Sequence, residues 1–542
     1  MGRTDAEGIR TLVIGVDGAS LEVLAARGEK VIPRITELFE EGVSGALESQ
    51  LPPWTPSAWP SMYTGVNPGK HGVYGFLRFD GYDWDIVNYS DVKEHTLWEL
   101  LSEYGMTSVV VNAPVTHPPK SFNGALVPGY IAPENPTCHP KGLLSDLRAE
   151  LGEYRVYTDG PGDGATDREW IADYTELIEM RGEAFRYLVD RFDPAFGFLQ
   201  FQQTDTVFHE HPTNDTIVDG VFAAVDREIA ATIDACDPDV VFLVSDHGLG
   251  EYDGDEFRVN SFLRDRGDVV TTAGEGGMPS WASISRNQLQ NDSGGDDRSP
   301  TSLERALSVA AKAGLTSQRM ARIVRRLGLE DVVLRVVPTD AIRAATERVD
   351  FERSRAYMRD RIELGIRINL DGREPNGLVS ESEYASLRAE LIDAFTAIRT
   401  PDGTPVFESV FRREEVFSGP YLDDAPDIIL VPNEFDQFVS ATVRPSQFGA
   451  PPEPWNHKRF GFIAATGDVD TSCDLTGAHL LDVAPTVLAT LDIPASDRMD
   501  GLLLPLVDEV GVEEYPPYRG EDVDTDDSAV EDRLADLGYL ER

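Results

Sequence analysis

The chain has 542 residues, longer than one ordinary domain, and its 41% hydrophobic content with 24 phenylalanines can build a sizeable core. Ninety-five acidic residues against 48 basic ones give a formal net charge of −47, spread along the whole length, which disfavours binding to nucleic-acid polymers and anionic membranes. A diffuse acidic excess of this kind points to a salt-rich cytosol, where carboxylates hold water and salt screens their repulsion.

In chain order, MGRTDAEGIR carries no long apolar stretch, and the longest apolar runs, such as VVFLV at 240–244, are strand-sized. A secretory leader and a membrane span are therefore not expected, and a cytoplasmic protein is. TLVIGVDG reads as a buried parallel strand ending at Asp17. A helical stretch follows, then a Pro-rich loop at 51–69 and a second buried strand in TSVVVNAP. Residues 167–193 have helical periodicity, PAFGFLQFQ reads as a strand, 218–235 is helical, and PDVVFLVSDHG holds another strand. This alternation predicts an α/β fold with a mostly parallel sheet and helices on both faces. Asp17, Asp205 and Asp246 each fall just past the carboxyl end of a predicted strand, where open α/β sheets bind ligands.

Residues 286–300 read as a flexible loop and 301–348 as helical, with Arg319, Arg322, Arg325 and Arg326 forming a basic cluster. Strands return in DIILVP and FGFIAA, followed by an acidic linker over 521–532 and a short amphipathic end. The expected organisation is a catalytic core in two parts, 10–255 and 351–505, with a helical insertion or cap at 256–350 and a tail at 506–542. No internal repeat is visible, and oligomeric state leaves no signal. Cys138, Cys236 and Cys473 are too far apart for a thiolate metal site or a disulfide framework.

The chemistry-bearing residues sit in short blocks. Asp205 and His209 in QTDTVFH are spaced i, i+4, so a helix projects both from one face, although an ordinary helix pair has the same spacing. Asp246 and His247 abut after a strand, where Gly248 permits a bend. A strand-end Asp such as Asp17 more often caps a following helix. His457 in WNHKRFGFIAATG has little local support, yet three of the chain's nine histidines, His209, His247 and His457, are candidate ligands in these blocks. Thr55, in PPWTPSAWPSMYTGVNPGKHG, reads locally as a turn hydroxyl or as an alcohol needing activation. Three carboxylates, three imidazoles and one hydroxyl together suit two divalent metals with an activated alcohol between them.

These ordered motifs, with VNAPVTHPP at 111–119, INLDGREPNGLV at 368–379, SGPYLDDAPDIILVP at 418–432 and LLDVAPTVLATLDIP at 480–494, resemble the type I phosphodiesterase/nucleotide pyrophosphatase family of the alkaline phosphatase superfamily. The resemblance runs from about residue 10 to the end and is closest to the family's prokaryotic phosphohydrolase/phosphomutase-like branch. It implies an alkaline-phosphatase-like core. One metal would be held by Asp205, His209 and His457, and a second by Asp17, Asp246, His247 and Thr55. The metals would be zinc, with manganese as the alternative. Thr55 would attack phosphorus and form a covalent phosphothreonine on a small-molecule phosphoester. Trp59, Lys70 and His71 are candidate substrate contacts. Ala58 departs from the Asn that nucleotide-diester enzymes often carry three residues after the nucleophile, which loosens the expectation of nucleotide pyrophosphatase activity. A phosphomutase or phosphotransferase of the same superfamily is the nearest alternative, and a catalytically silent metal-binding interaction protein is the alternative of another class.

Overall fold

The computed structural model describes residues 8–158, 160–162, 164–273, 347–520 and 530. Seven strands form its central sheet: β1 (Thr11–Val16), β2 (Val43–Glu48), β3 (Ser108–Val111), β4 (Gly124–Val127), β5 (Phe196–Phe201), β6 (Val240–Val244) and β7 (Phe460–Gly467). They lie in the order β2-β7-β6-β1-β5-β3-β4. From β4 across to β6 every pairing is parallel, and β7 runs antiparallel to both neighbours. The α/β class expected from the sequence is the observed one.

Alternation along each strand feeds two cores. Leu12, Ile14, Leu199 and Leu243 face the helices at 167–192 and 215–236. Val13, Val110, Phe198 and Phe242 face Trp59, Trp98 and the helix at 483–490. With both faces covered, the strands read as near-continuous apolar runs, which is why the sequence showed them clearly.

The Pro-rich stretch 51–69, expected as a loop, contains a helix, α1 (Thr55–Thr64). Pro56 sits in the first turn, where no intrahelical N–H is required. Around Pro60, inside the helix, the Thr64 hydroxyl donates to the Pro60 carbonyl at 2.6 Å. Gly65, at φ 70°, ends the helix in the left-handed region. All ten helix residues are buried, with Trp59 packed edge-on to Phe198 at 5.8 Å. The close approach depends on Gly15 of β1, where a Cβ would lie 2.4 Å from Trp59 Cη2.

A second, antiparallel sheet joins 356–357, 365–368, 428–432 and 407–412, backed by the helix at 381–396. Its buried charges are paired, Arg373 with Asp427 at 2.7 Å and Arg367 with Glu374 at 2.6 Å. Most of the expected insertion at 256–350 lies outside the described residues, as do the loop at 286–300 and the arginine cluster. At its ends, 256–273 is strand, helix and strand, and Thr271–Ala273 pairs antiparallel with Glu347–Val349. The acidic segment and amphipathic end also lie outside, except for Val530, which is buried. Among the described residues no helix is long and apolar enough to cross a membrane.

Gly15→Ala would force Trp59 out of its seat. The expected cost is about 1–3 kcal/mol, read as a lower melting temperature; unchanged melting would contradict this account of α1.

Candidate metal centre

Parallel register brings the three carboxylates together. In β1, Val16 is level with Phe201 of β5 and Gly15 with Val244 of β6, so Asp17, the start of helix α2 (Gln203–Glu210) and Asp246 share one edge of the sheet. His247 follows Asp246 directly. His457 arrives from a distant part of the chain through the antiparallel ladder of Trp455–Lys458 with Gly248–Glu251. Gly248 lies in that ladder rather than at a bend, and a Cβ there would come within 2.2 Å of the Phe460 carbonyl oxygen.

All seven residues expected at the metals converge. His209 Nε2 is 3.4 Å from Asp205 Oδ1 and 3.3 Å from His457 Nε2, and His457 Nε2 is 3.6 Å from Asp205 Oδ1. His247 Nε2 is 3.2 Å from Asp246 Oδ2, 3.7 Å from Asp17 Oδ1 and 3.4 Å from Thr55 Oγ1. Ligand atoms of Asp205, His247 and His457 also lie within 4.8 Å of one another, so the two groups form one continuous cluster.

The surroundings aim these atoms inward. Asp17 Oδ2 accepts from Gln200 Nε2 at 2.6 Å and from Trp59 Nε1 at 3.0 Å, which leaves Oδ1 turned towards the imidazoles. Gln200 is held in turn by Asn112, whose Nδ2 donates to its Oε1 at 2.7 Å. Thr204 donates to the Asp17 carbonyl, and Ser49 to that of Asp246. His247 Nδ1 lies 3.1 Å from the Gly248 carbonyl oxygen and His457 Nδ1 2.9 Å from that of Pro53. A carbonyl can only accept, so both rings carry the proton on Nδ1 and present a bare Nε2 to the cluster.

Such a set suits cations. Asp17 Oδ1, Asp205 Oδ1 and Asp246 Oδ2 are buried and accept no hydrogen bond, although buried polar atoms are normally satisfied. Burial, reinforced by the charges of Asp246 and Asp205, holds the Asp17 carboxyl well above its usual range; burial and then Asp205 do the same to Asp246. Burial is also the largest influence keeping His247 and His457 neutral. At His209 burial opposes protonation, but the Asp205 carboxylate outweighs it and raises the pKa. Neutral imidazoles and crowded carboxylates are the donors that a divalent ion satisfies.

The residues expected to touch substrate are placed otherwise. Trp59 spends its indole N–H on Asp17 and is fully buried. Lys70 Nζ donates to Asp500 Oδ1 at 2.5 Å and to the Arg498 carbonyl, tying the loop after α1 to residues 498–500. His71 accepts from the Val73 N–H at Nδ1, donates from Nε2 to Ser61 Oγ at 2.9 Å, and has its pKa pushed down to about 3 by burial. These side chains brace α1. Sequence reasoning missed Gln200 and Asn112. The available signal was a lone amide inside the apolar run FGFLQF.

A family model described as type I phosphodiesterase/nucleotide pyrophosphatase matches residues 11–446. Among solved structures, phosphonoacetate hydrolase from Sinorhizobium meliloti 1021 in complex with phosphonoacetate aligns over 90% of this chain and 96% of its own, with TM-score 0.50 and 15% identity. The same hydrolase with phosphonoformate aligns with TM-score 0.50 and 14% identity over the same shares. Murine ectonucleotide pyrophosphatase/phosphodiesterase 5, inactive and in complex with AMP, aligns over the same shares with TM-score 0.45 and 12% identity. No curated protein matches the chain. The hydrolase likeness supports the fold.

Two measurements check the centre. Raised carboxyl pKa values mean that the metal-free protein retains protons which a cation must displace, so Mn²⁺ affinity should rise between pH 6 and pH 8, about tenfold per pH unit for each proton displaced. Calorimetric titration should show this with two ions per chain; pH-independent binding would contradict it. Gln200→Leu should weaken binding about 10–100-fold while the protein stays folded by circular dichroism.

Proposed function

The chain belongs to the type I phosphodiesterase/nucleotide pyrophosphatase family of the alkaline phosphatase superfamily, whose members are metal-dependent phosphoesterases, and from that premise we propose that it hydrolyses small phosphodiesters through covalent attack by Thr55. Asp205, His209 and His457 would hold one divalent ion, and Asp17, Asp246, His247 and Thr55 the other. Bound there, two such ions, zinc in the first instance and manganese as the alternative, supply Lewis acidity, activate the Thr55 hydroxyl and offset the charge of the carboxylates and phosphoryl oxygens.

The observation that carries this reading is the position of Thr55. Its Oγ1 lies 3.4 Å from His247 Nε2, it is 2% exposed, and it is the first residue of α1. Helix N-termini favour negative charge, so the same placement stabilises an alkoxide and the phosphoryl oxygens that follow it. Thr55 Oγ1 would bond to phosphorus as the bond to the leaving alcohol breaks, and the departing oxygen would take up a proton. Water would then cleave the threonine ester, release a phosphomonoester and restore the hydroxyl. Gln200 and Trp59 keep Asp17 oriented throughout.

Diesters are favoured over monoesters because a dianionic monoester calls for additional positive charge. Two arginines that could have supplied it are engaged elsewhere: Arg78 pairs with Asp85 at 2.8 Å, and Arg373 with Asp427. Residues 10–255 and 351–505 would act as one catalytic body, since His457 comes from the second part. A charge of −47 supports a salt-rich cytosol as the working medium.

In molar KCl with Zn²⁺ or Mn²⁺, the protein should hydrolyse bis-p-nitrophenyl phosphate in preference to p-nitrophenyl phosphate. Thr55→Ala should lower turnover about 10³-fold or more without loss of folding. Silence of folded, metal-loaded wild type on both esters would overturn the hydrolase reading and leave a mutase, a transferase or a binding protein.

A further inference from the structure

Three consecutive residues, Pro53, Trp54 and Thr55, enter the metal centre together, and each addresses one of its imidazoles. The Pro53 carbonyl accepts from His457 Nδ1 at 2.9 Å, the Trp54 ring lies 5.2 Å from the His457 ring at a tilt of 34°, and Thr55 Oγ1 is 3.4 Å from His247 Nε2. The His457 ring also stacks on that of His247, with centroids 3.8 Å apart and planes 18° from parallel. A chain of ring contacts, Trp54 to His457 to His247, therefore runs across both groups of metal-binding residues.

Trp54 itself is firmly held. It is 5% exposed and N-caps α1, its N–H donating to the Pro52 carbonyl and its carbonyl accepting from the N–H groups of Ser57 and Ala58, all at 2.9 Å. Its indole N–H, by contrast, is buried and has no partner among the described residues. Buried donors are normally satisfied, so this indole is placed for the contact its ring makes rather than for a hydrogen bond. That contact matters at His457. The backbone there is pinned, with the Tyr252 hydroxyl donating to the His457 carbonyl at 2.7 Å and the His457 N–H donating to Asn456 Oδ1 at 2.8 Å. On the side away from the cluster the ring is anchored through Nδ1 alone. One such bond leaves the tilt of an imidazole adjustable, and metal affinity depends on how closely Nε2 is aimed. A rigid flat neighbour removes that freedom, and the separation found here is typical of aromatic pairs.

We propose that Trp54 is a positioning residue of this centre: its ring fixes the orientation of His457, and because its backbone starts α1 it ties the aim of that ligand to the place of the Thr55 hydroxyl. The inference rests on the metal-dependent reading of the site and adds to it the residue that aligns ligand with nucleophile. Trp54 acts through His457, so its loss is felt at the ion that Asp205, His209 and His457 would hold and not at the other.

Calorimetric titration with Mn²⁺ tests this in wild type, Trp54→Phe, Trp54→Leu, Trp54→Met, His457→Ala and the double variant Trp54→Leu/His457→Ala. His457→Ala identifies which binding event belongs to His457. Trp54→Leu and Trp54→Met, which lack a flat face, should weaken that event about 10–100-fold while the other stays within about threefold of wild type. Trp54→Phe keeps a ring and gives up the unpartnered N–H, so both events should stay within about threefold of wild type. In the His457→Ala background, Trp54→Leu should change the remaining event less than about twofold, as expected when one residue acts through the other. Unchanged affinity in folded Trp54→Leu and Trp54→Met would overturn the inference, as would equal weakening of both events. Failure of Trp54→Phe to keep the affinity, or loss of folding in both the Leu and Met variants, would overturn it too, since each makes the residue purely structural. A folded wild type that binds no Mn²⁺ is a different result, because it removes the metal-dependent reading and this inference with it.

Discussion

Three carboxylates packed into a buried corner are the constraint on which the structure turns. Asp17, Asp205 and Asp246 each present an oxygen without a hydrogen-bond donor to the same small volume. Burial and their mutual repulsion raise the pKa of both Asp17 and Asp246. Folding without cations concentrates unfavourable charge there, and divalent ions relieve it. The machinery around the corner follows from that need: Nδ1 protons directed at carbonyls, an amide chain from Asn112 through Gln200 to Asp17, and an indole N–H on the other side of the same carboxylate.

The sheet supplies the precision. β1 lies between β5 and β6, so the carboxyl ends of three adjacent parallel strands place Asp17, Asp246 and the start of α2, which carries Asp205, at one edge of the sheet. α1 approaches from one face and sets a hydroxyl at its N-terminus among them. Its seat depends on Gly15 below Trp59, and Trp59 in turn orients Asp17, so the packing of the core and the geometry of the centre are the same contact seen from two sides. Lys70 and His71 extend this bracing by anchoring the segment after α1 to Asp500 and Ser61.

Much of this was legible in the sequence because the strands are buried on both faces and β1 and β6 lead into Asp. Asp17, Asp246 and His247 announced themselves by that position, whereas Asp205 sits inside α2 beyond the end of β5 and showed itself by its i, i+4 spacing to His209. His457 did not: its place is set by pairing with residues about two hundred positions earlier, a non-local contact with no local signature. The helix at 55–64 was hidden by its prolines, which normally mark loops yet are accommodated here by a first-turn position and a threonine hydroxyl. Gln200 and Asn112 were hidden for a further reason, since their importance lies in what they hold rather than in any spacing.

The central claim is that Thr55 becomes covalently bonded to phosphorus during turnover. Rapid acid quenching of the metal-loaded protein with bis-p-nitrophenyl phosphate, followed by peptide mass spectrometry, tests it directly. The account predicts a p-nitrophenyl phosphoryl group on the peptide containing Thr55, formed and lost at rates compatible with turnover. Steady turnover with that peptide unmodified, or with the group on another residue, would contradict it.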